Sequence, residues 1–183
     1  LQPEASARPS ASWLRTRELP AAALLVCVVA VLLWRTPAFN TPENLKAVAQ
    51  DAGILGIMAC GEALVILTGG IDLSVGSALA MSACLAGGLM MSAVPWPVCC
   101  AAGLVLGLVA GYANGSLVTF RQLPPIIVTL ATQFLFRGLT NVVTGASPYN
   151  MLPESFKTFG RGFSPLAIFL AVAVALWIVL GRT

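Results

Sequence analysis

The sequence predicts an all-α polytopic membrane helix bundle with about six transmembrane helices, on three observations. Apolar residues make up 58% of the chain and charged residues only 9%, with a mean hydropathy of +0.90; a soluble domain carries roughly 25% charged residues. A soluble protein of this size has too much surface to cover with so few polar groups. The apolar residues also fall into successive runs near the roughly 20 residues that cross a bilayer. No barrel pattern of alternating residues is present, and helices are then the elements that satisfy their own backbone groups in lipid.

Residues 1–18 form a polar amino-terminal tail, with Arg8, Arg15 and Arg17 against Glu4 and Glu18. Residues 19–183 make up the transmembrane domain. Its first apolar run, Leu19–Trp34, is about 16 residues long, short for a span unless tilted or extended by its flanks. A signal peptide would also show a basic lead and a short apolar core, but Arg35-Thr-Pro-Ala-Phe39 offers no small-residue cleavage site, so a retained helix is favoured. Thr41 is a candidate N-cap with Pro42 at the first helical position of the second span, about Leu45 to Thr68. The third runs from about Ser74 to Val94 and closes on Pro95-Trp-Pro97, which sets a tryptophan at the interface. The fourth covers about Val98 to Phe120, the fifth opens at Pro124-Pro125 and ends near Gly145, and the sixth covers about Ser164 to Leu180. With the amino terminus inside, Arg8, Arg15, Arg17, Arg121 and Arg182 are cytoplasmic and Arg35, Lys46, Lys157 and Arg161 external. That bias favours a cytoplasmic amino terminus.

Several chemistries are excluded. There is no histidine, the commonest metal ligand and general base. Cys27, Cys60, Cys84, Cys99 and Cys100 lie in apolar runs without a CxxC pair and read as small hydrophobes. No metal site is expected. No GxxxxGK[ST] loop occurs, so any ATP is hydrolysed on another subunit. No serine or cysteine has a histidine base, and Glu62 and Asp72 lack a GxGD-like setting, so no catalytic residues are expected. The +3 net charge is small and scattered, which argues against a nucleic-acid partner.

Four features stand out within the spans. Gly103, Gly107, Gly111 and Gly115 recur every fourth residue and predict a close helix-packing seam, with a partner helix in this chain or in another subunit. Glu62, Asp72 and Arg137 are ionisable at membrane depth, where charge is costly and points to function. Glu62 sits about two turns before Thr68-Gly-Gly-Ile-Asp72, within reach of any cavity that stretch lines. Arg137 either snorkels or pairs with a carboxylate to hold the bundle, or else contacts substrate. The stretch Thr68-Gly-Gly-Ile-Asp-Leu-Ser-Val-Gly-Ser77 is the fourth feature. One helix from Leu45 to Val94 would be about 75 Å long, over twice the membrane core, so the chain must break. Gly69-Gly70 does this at least steric cost, and Asp72 or Ser74 can cap the next helix. A routine interfacial hairpin and a discontinuous helix lining a polar pathway fit equally well.

The stretch Leu64-Val-Ile-Leu-Thr-Gly-Gly-Ile-Asp-Leu-Ser-Val-Gly-Ser77 closely resembles the signature of membrane subunits of bacterial ABC sugar importers, the ribose-type permeases. Leu123-Pro-Pro-Ile-Ile-Val-Thr-Leu-Ala-Thr132 followed by Arg137-Gly138 resembles that family's second characteristic stretch. Phe39-Asn-Thr-Pro-Glu-Asn-Leu45 resembles the start of its second helix, and Gly145-Ala-Ser-Pro148 its external loop. The resemblance implies a multi-pass subunit of the bacterial inner membrane that forms the translocation path and works as a homo- or heterodimer with a second permease copy. It implies two cytoplasmic ATPase subunits that use ATP, a periplasmic sugar-binding protein, and no cofactor on this chain. Gly69, Gly70, Asp72, Ser74, Glu62, Thr132 and Arg137 are then candidates for the pathway or its gating. Two departures stand out. The family runs to about ten spans, and its cytoplasmic loop that engages the ATPase would begin just after Arg182, so the chain reads as an amino-terminal portion, coupling-deficient alone. Met or Gln is more usual at the place of Glu62, so no family role carries over to it.

The expected function is therefore a permease subunit that moves a sugar by alternating access, without enzymatic activity of its own. An ion- or proton-coupled secondary transporter using Glu62 and Asp72 is the alternative, and a membrane scaffold a weaker third. The external segment Pro153-Glu-Ser-Phe-Lys-Thr-Phe159 can form a short helix with Phe156 and Phe159 on one side, either a docking surface for the binding protein or a face lying on the bilayer. Neither composition nor motif distinguishes a pentose, a hexose or a related furanosyl signal.

Overall fold

The computed structural model describes residues 12–182; residues 1–11 of the polar tail lie outside them. The described residues form seven α-helices and a short 3-10 turn, with no strand among them. The helices are α1 (Ser12–Arg35), α2 (Pro42–Leu67), α3 (Val75–Met91), α4 (Trp96–Arg121), α5 (Pro125–Thr144), α6 (Glu154–Phe159) and α7 (Ser164–Leu180). Among them α2, α4 and α5 are long and apolar enough to cross a membrane. Val75–Met91, Ser164–Leu180 and the apolar part of α1, Leu19–Arg35, are shorter. At 17 residues, α3 and α7 span about 25 Å, near the lower limit for crossing the hydrocarbon layer.

The chain divides into two compact units, Leu1–Ala47 and Val48–Thr183, each described by itself. In the first, α1 begins inside the polar segment at Ser12 and runs through Pro20. The 3-10 turn Pro37–Asn40 then follows. Thr41 caps α2: its Oγ1 accepts the Asn44 N–H at 3.3 Å and donates to the Ala38 carbonyl at 2.8 Å, while Pro42 occupies the position where a missing N–H costs nothing. The Asn44 side-chain amide donates to the Phe39 carbonyl at 2.7 Å and closes the turn.

In the second unit α3, α4 and α5 form the core. Its buried apolar residues are Cys84 and Met90 of α3, Cys99 and Ala110 of α4, and Val128 and Phe136 of α5. Much of the remaining apolar surface faces outward; Leu104 and Leu108 of α4 are 72% and 73% exposed. A surface this greasy matches lipid or further protein as its surroundings, not water.

Small residues set the close approaches. A Cβ on Gly53 of α2 would run into the backbone of Pro165 and Leu166 at the start of α7, and one on Gly56 would lie 2.6 Å from the Phe169 ring. A Cβ on Gly103 would lie 3.1 Å from the Ser82 carbonyl of α3, and one on Gly107 3.5 Å from the Ser82 hydroxyl. Gly111 and Gly115 have no neighbour within 4 Å in this sense. The four-glycine row therefore meets α3 along its first half. Gly103, Gly107 and Gly111 also line an open apolar groove of about 1090 Å³ that α2, α3 and α4 share. Gly53→Ala should lower the thermal midpoint in detergent by several degrees, since overpacking a rigid contact costs about 1–3 kcal/mol. Gly111→Ala should melt no lower than wild type, and equal melting of the two variants would contradict the close α2–α7 approach.

Candidate functional site

The polar break between α2 and α3 has a defined construction. Thr68 ends α2 and Gly69 follows with φ +82°, the left-handed conformation that costs an L side chain about 1–2 kcal/mol and glycine nothing. The Gly69 N–H bonds the Ile66 carbonyl at 2.9 Å and the Gly70 N–H bonds the Val65 carbonyl at 3.1 Å, the paired bonds of a Schellman motif. The Thr68 hydroxyl adds a third bond to the Val65 carbonyl at 2.7 Å. The last carbonyls of α2 are thus satisfied before the chain turns.

On the far side, the Asp72 carboxylate organises the start of α3. Its Oδ1 accepts the Ser74 backbone N–H at 2.7 Å and the Ser74 hydroxyl at 2.6 Å. Ser74 is the N-cap residue by position but makes no side-chain cap bond. Its hydroxyl is turned to Asp72, whose carboxylate holds the N-cap residue in an Asx turn rather than bonding an amide of the first helical turn. The Ser74 carbonyl accepts the Ser77 hydroxyl at 2.8 Å.

Three further helices reach this junction. From α4, the Asn114 amide donates to Ser74 Oγ at 2.9 Å; from α5, the Thr129 hydroxyl lies 3.2 Å from the Ile71 carbonyl and 2.9 Å from that of Pro125. From α2, Glu62 Oε1 accepts the Asp72 backbone N–H at 3.2 Å. Ser74, Asn114 and Thr129 are 1%, 5% and 4% exposed, so the junction is a buried polar knot. Two of its atoms, Glu62 Oε2 and Asn114 Oδ1, are buried without a hydrogen-bond partner. Asn114 and Thr129 are not among the residues that the sequence put forward for the pathway, which were charged groups, glycines, Ser74 and Thr132. A lone asparagine inside an apolar span was the available signal.

The sequence-selected residues fall in different places. Gly70 and Asp72 line a cavity of about 240 Å³ with Asn114, Gly115 and Thr129. Glu62 and Ser74 are bonded to Asp72 without lining it, and Gly69 shapes the turn. Thr132 is directed back to its own helix, toward the Val128 and Thr129 carbonyls at 3.1 and 3.2 Å. Arg137 lies apart, in a second cavity of about 370 Å³ between α3 and α5. Among the described residues it makes no ion pair, so no carboxylate there serves as the partner that one reading gave it.

At the opposite end of the bundle, Phe156 and Phe159 of α6 pack on Trp96 at the start of α4, with ring centroids 6.2 and 5.8 Å away. The aromatic side of the short helix therefore faces its own chain, although Phe159 stays 53% exposed. Lys157 donates to Glu154 Oε1 at 2.8 Å, and this bond holds the Glu154 carboxyl below its ordinary range. Tyr149 of the preceding loop lies over the Gly87-Gly88 notch of α3, where a Cβ on Gly87 would be 2.9 Å from its ring.

Ser74 is the residue on which the knot turns. Ser74→Ala removes the hydroxyl's bonds to Asp72 and Asn114, keeps the backbone bond to Asp72, and leaves the buried Asn114 side-chain amide unpaired, at a cost of about 1–3 kcal/mol. A clearly lowered thermal midpoint in detergent is expected, and wild-type melting would show that the knot adds no stability.

Comparison with known proteins places these elements in a family. The family described as "Branched-chain amino acid transport system / permease component" matches residues 44–183. The ribose import permease protein RbsC of Bacillus subtilis is 39% identical over 167 residues, covering 87% of this chain and 51% of that protein. The autoinducer 2 import system permease protein LsrC of Salmonella typhi is 35% identical over 164 residues, covering 90% and 46%. LsrC of Shigella flexneri is 41% identical over 132 residues, covering 69% and 39%. The chain thus spans about half the length, or less, of these curated relatives. No solved structure matches it.

Proposed function

From the premise that this chain belongs to the transport-permease family whose pattern covers residues 44–183, we propose that it forms the translocation path of an ATP-driven sugar importer. The observation that carries the reading is its similarity, over 87–90% of the chain, to permease proteins named for ribose import and autoinducer 2 import. The substrate is accordingly a ribose-like sugar or a small furanosyl signal. ATP is hydrolysed on separate cytoplasmic subunits, a periplasmic binding protein delivers the sugar, and two permease copies enclose the path in the inner membrane with their amino termini inside. The substrate crosses by alternating access.

The knot around Ser74 suits such a device. Helix breaks at membrane depth are tolerated where protein or a water-filled cavity surrounds them. Here one break ties α2, α3, α4 and α5 together beside a small cavity. A displacement of any of these helices is transmitted through directional bonds to the other three.

Two experiments test the proposal. In the full-length importer, ribose uptake should vanish when the catalytic glutamate of the ATPase subunit is mutated and should survive a proton ionophore; the opposite pattern would mark a proton-coupled carrier. Asp72→Asn keeps an oxygen acceptor for both Ser74 bonds, so stability should change by less than about 1 kcal/mol while uptake falls. Unimpaired uptake would show that the Asp72 charge has no part in the pathway or its gating.

A further inference from the structure

Arginine at membrane depth is costly unless something answers its charge and its five donors. Arg137 of α5 has no ion pair among the described residues. Its side chain lines the 370 Å³ cavity together with Gln133, Thr140 and Asn141 of the same helix and with Gly76 and Ser77 of α3. The spacing from 133 through 137 to 140 and 141 puts the four α5 residues on one helical face.

The donor and acceptor chemistry of that face is mixed. Arg137 and the two amides supply N–H donors, and the amides supply carbonyl acceptors. The Thr140 hydroxyl donates to the Phe136 carbonyl at 2.8 Å and the Ser77 hydroxyl to the Ser74 carbonyl at 2.8 Å. Their proton positions are used inside the protein, so each turns only lone pairs toward the cavity. No carboxylate lines it, and Arg137 repels cations. The volume falls in the low part of the roughly 300–1,000 Å³ range of small-molecule sites. Gly76 contributes open space, since a Cβ there would meet nothing within 4 Å.

We propose that this α3–α5 cavity is where the permease itself contacts its substrate, a neutral polyhydroxylated ring whose hydroxyls accept from Arg137, Gln133 and Asn141 and donate to Ser77 and Thr140. The inference rests on the sugar-importer reading and adds to it a site on this chain. The site is separate from the knot, because Asp72 and Asn114 line the other cavity. The two cavities are nonetheless linked, for the Ser77 hydroxyl that faces one is bonded to the carbonyl of the Ser74 that anchors the other.

The test uses the intact importer with radiolabelled ribose, and three readouts: uptake, ATP hydrolysis stimulated by the loaded binding protein, and melting in detergent. Arg137→Gln removes the charge-assisted donors and should cut uptake by about tenfold or more while hydrolysis persists. Gly76→Leu fills the cavity at a helical position where glycine is a poor former. It should melt no lower than wild type yet lose uptake to the same degree. Wild-type uptake by Gly76→Leu would overturn the site, and this variant decides the matter if Arg137→Gln does not fold. Wild-type protein that fails to take up ribose would overturn the importer reading for that sugar. The cavity is then judged by Gln133→Cys in membranes. Reaction with a small hydrophilic thiol reagent, above the background of the five native cysteines, supports a wet polar site. An unreactive thiol refutes it.

Discussion

A single buried hydroxyl, that of Ser74, ties the helices of this protein to one another. Lipid offers no hydrophobic drive for helices to associate, so packing and directional polar bonds decide which faces meet. Ser74 Oγ donates to the Asp72 carboxylate and accepts from the Asn114 amide, and that places the start of α3 on α4. Thr129 and Glu62 secure the neighbouring backbone from α5 and α2. Each bond replaces one that water would make elsewhere, and at 1% exposure Ser74 has no water to turn to.

The break that permits this arrangement is demanded by length and made by glycine. The Schellman pair at Gly69 and Gly70 closes α2, and the Asp72 carboxylate bonds the residue that precedes α3, with Ile71 between Gly70 and Asp72. Ile71 uses its carbonyl for Thr129, and Asp72 uses its N–H for Glu62. Every polar group of the turn named here thus has a partner. The two that do not, Glu62 Oε2 and Asn114 Oδ1, belong to side chains that reach in from α2 and α4.

Polar chemistry and close packing are segregated along the bundle. Gly53 and Gly56 bring α2 onto α7, and Gly103 brings α4 onto α3, with apolar residues around them. The later glycines of α4 leave a groove, and the face of α5 bearing Arg137 leaves a polar cavity. The opposite end is closed by aromatic contacts of Trp96 with Phe156 and Phe159 and by Tyr149 over Gly87. Those contacts are ring packing, whereas the junction around Ser74 is held by hydrogen bonds, and both join segments far apart in sequence. The bundle is therefore fastened differently at its two ends.

The sequence by itself determined the helical class, the helix positions to within a few residues except the start of α1, which lies at Ser12 and not at Leu19, and the need for a break at Gly69-Gly70. These follow from composition, length and the conformational freedom of glycine, all of them local. It also singled out Glu62, Asp72, Ser74 and Arg137, because charge and polarity at membrane depth are conspicuous along a chain. Only the tertiary structure decided what these residues touch. The Ser74 hydroxyl caps no amide of α3; it donates to Asp72 and accepts from Asn114, forty residues on. Gly111 and Gly115 share the spacing of Gly103, yet a Cβ on either would meet nothing within 4 Å. Thr132 and Arg137 lie on one helix, but the first bonds its own backbone and the second opens into a cavity. Spacing along a helix specifies a face, and what lies against that face depends on how the other helices cross it.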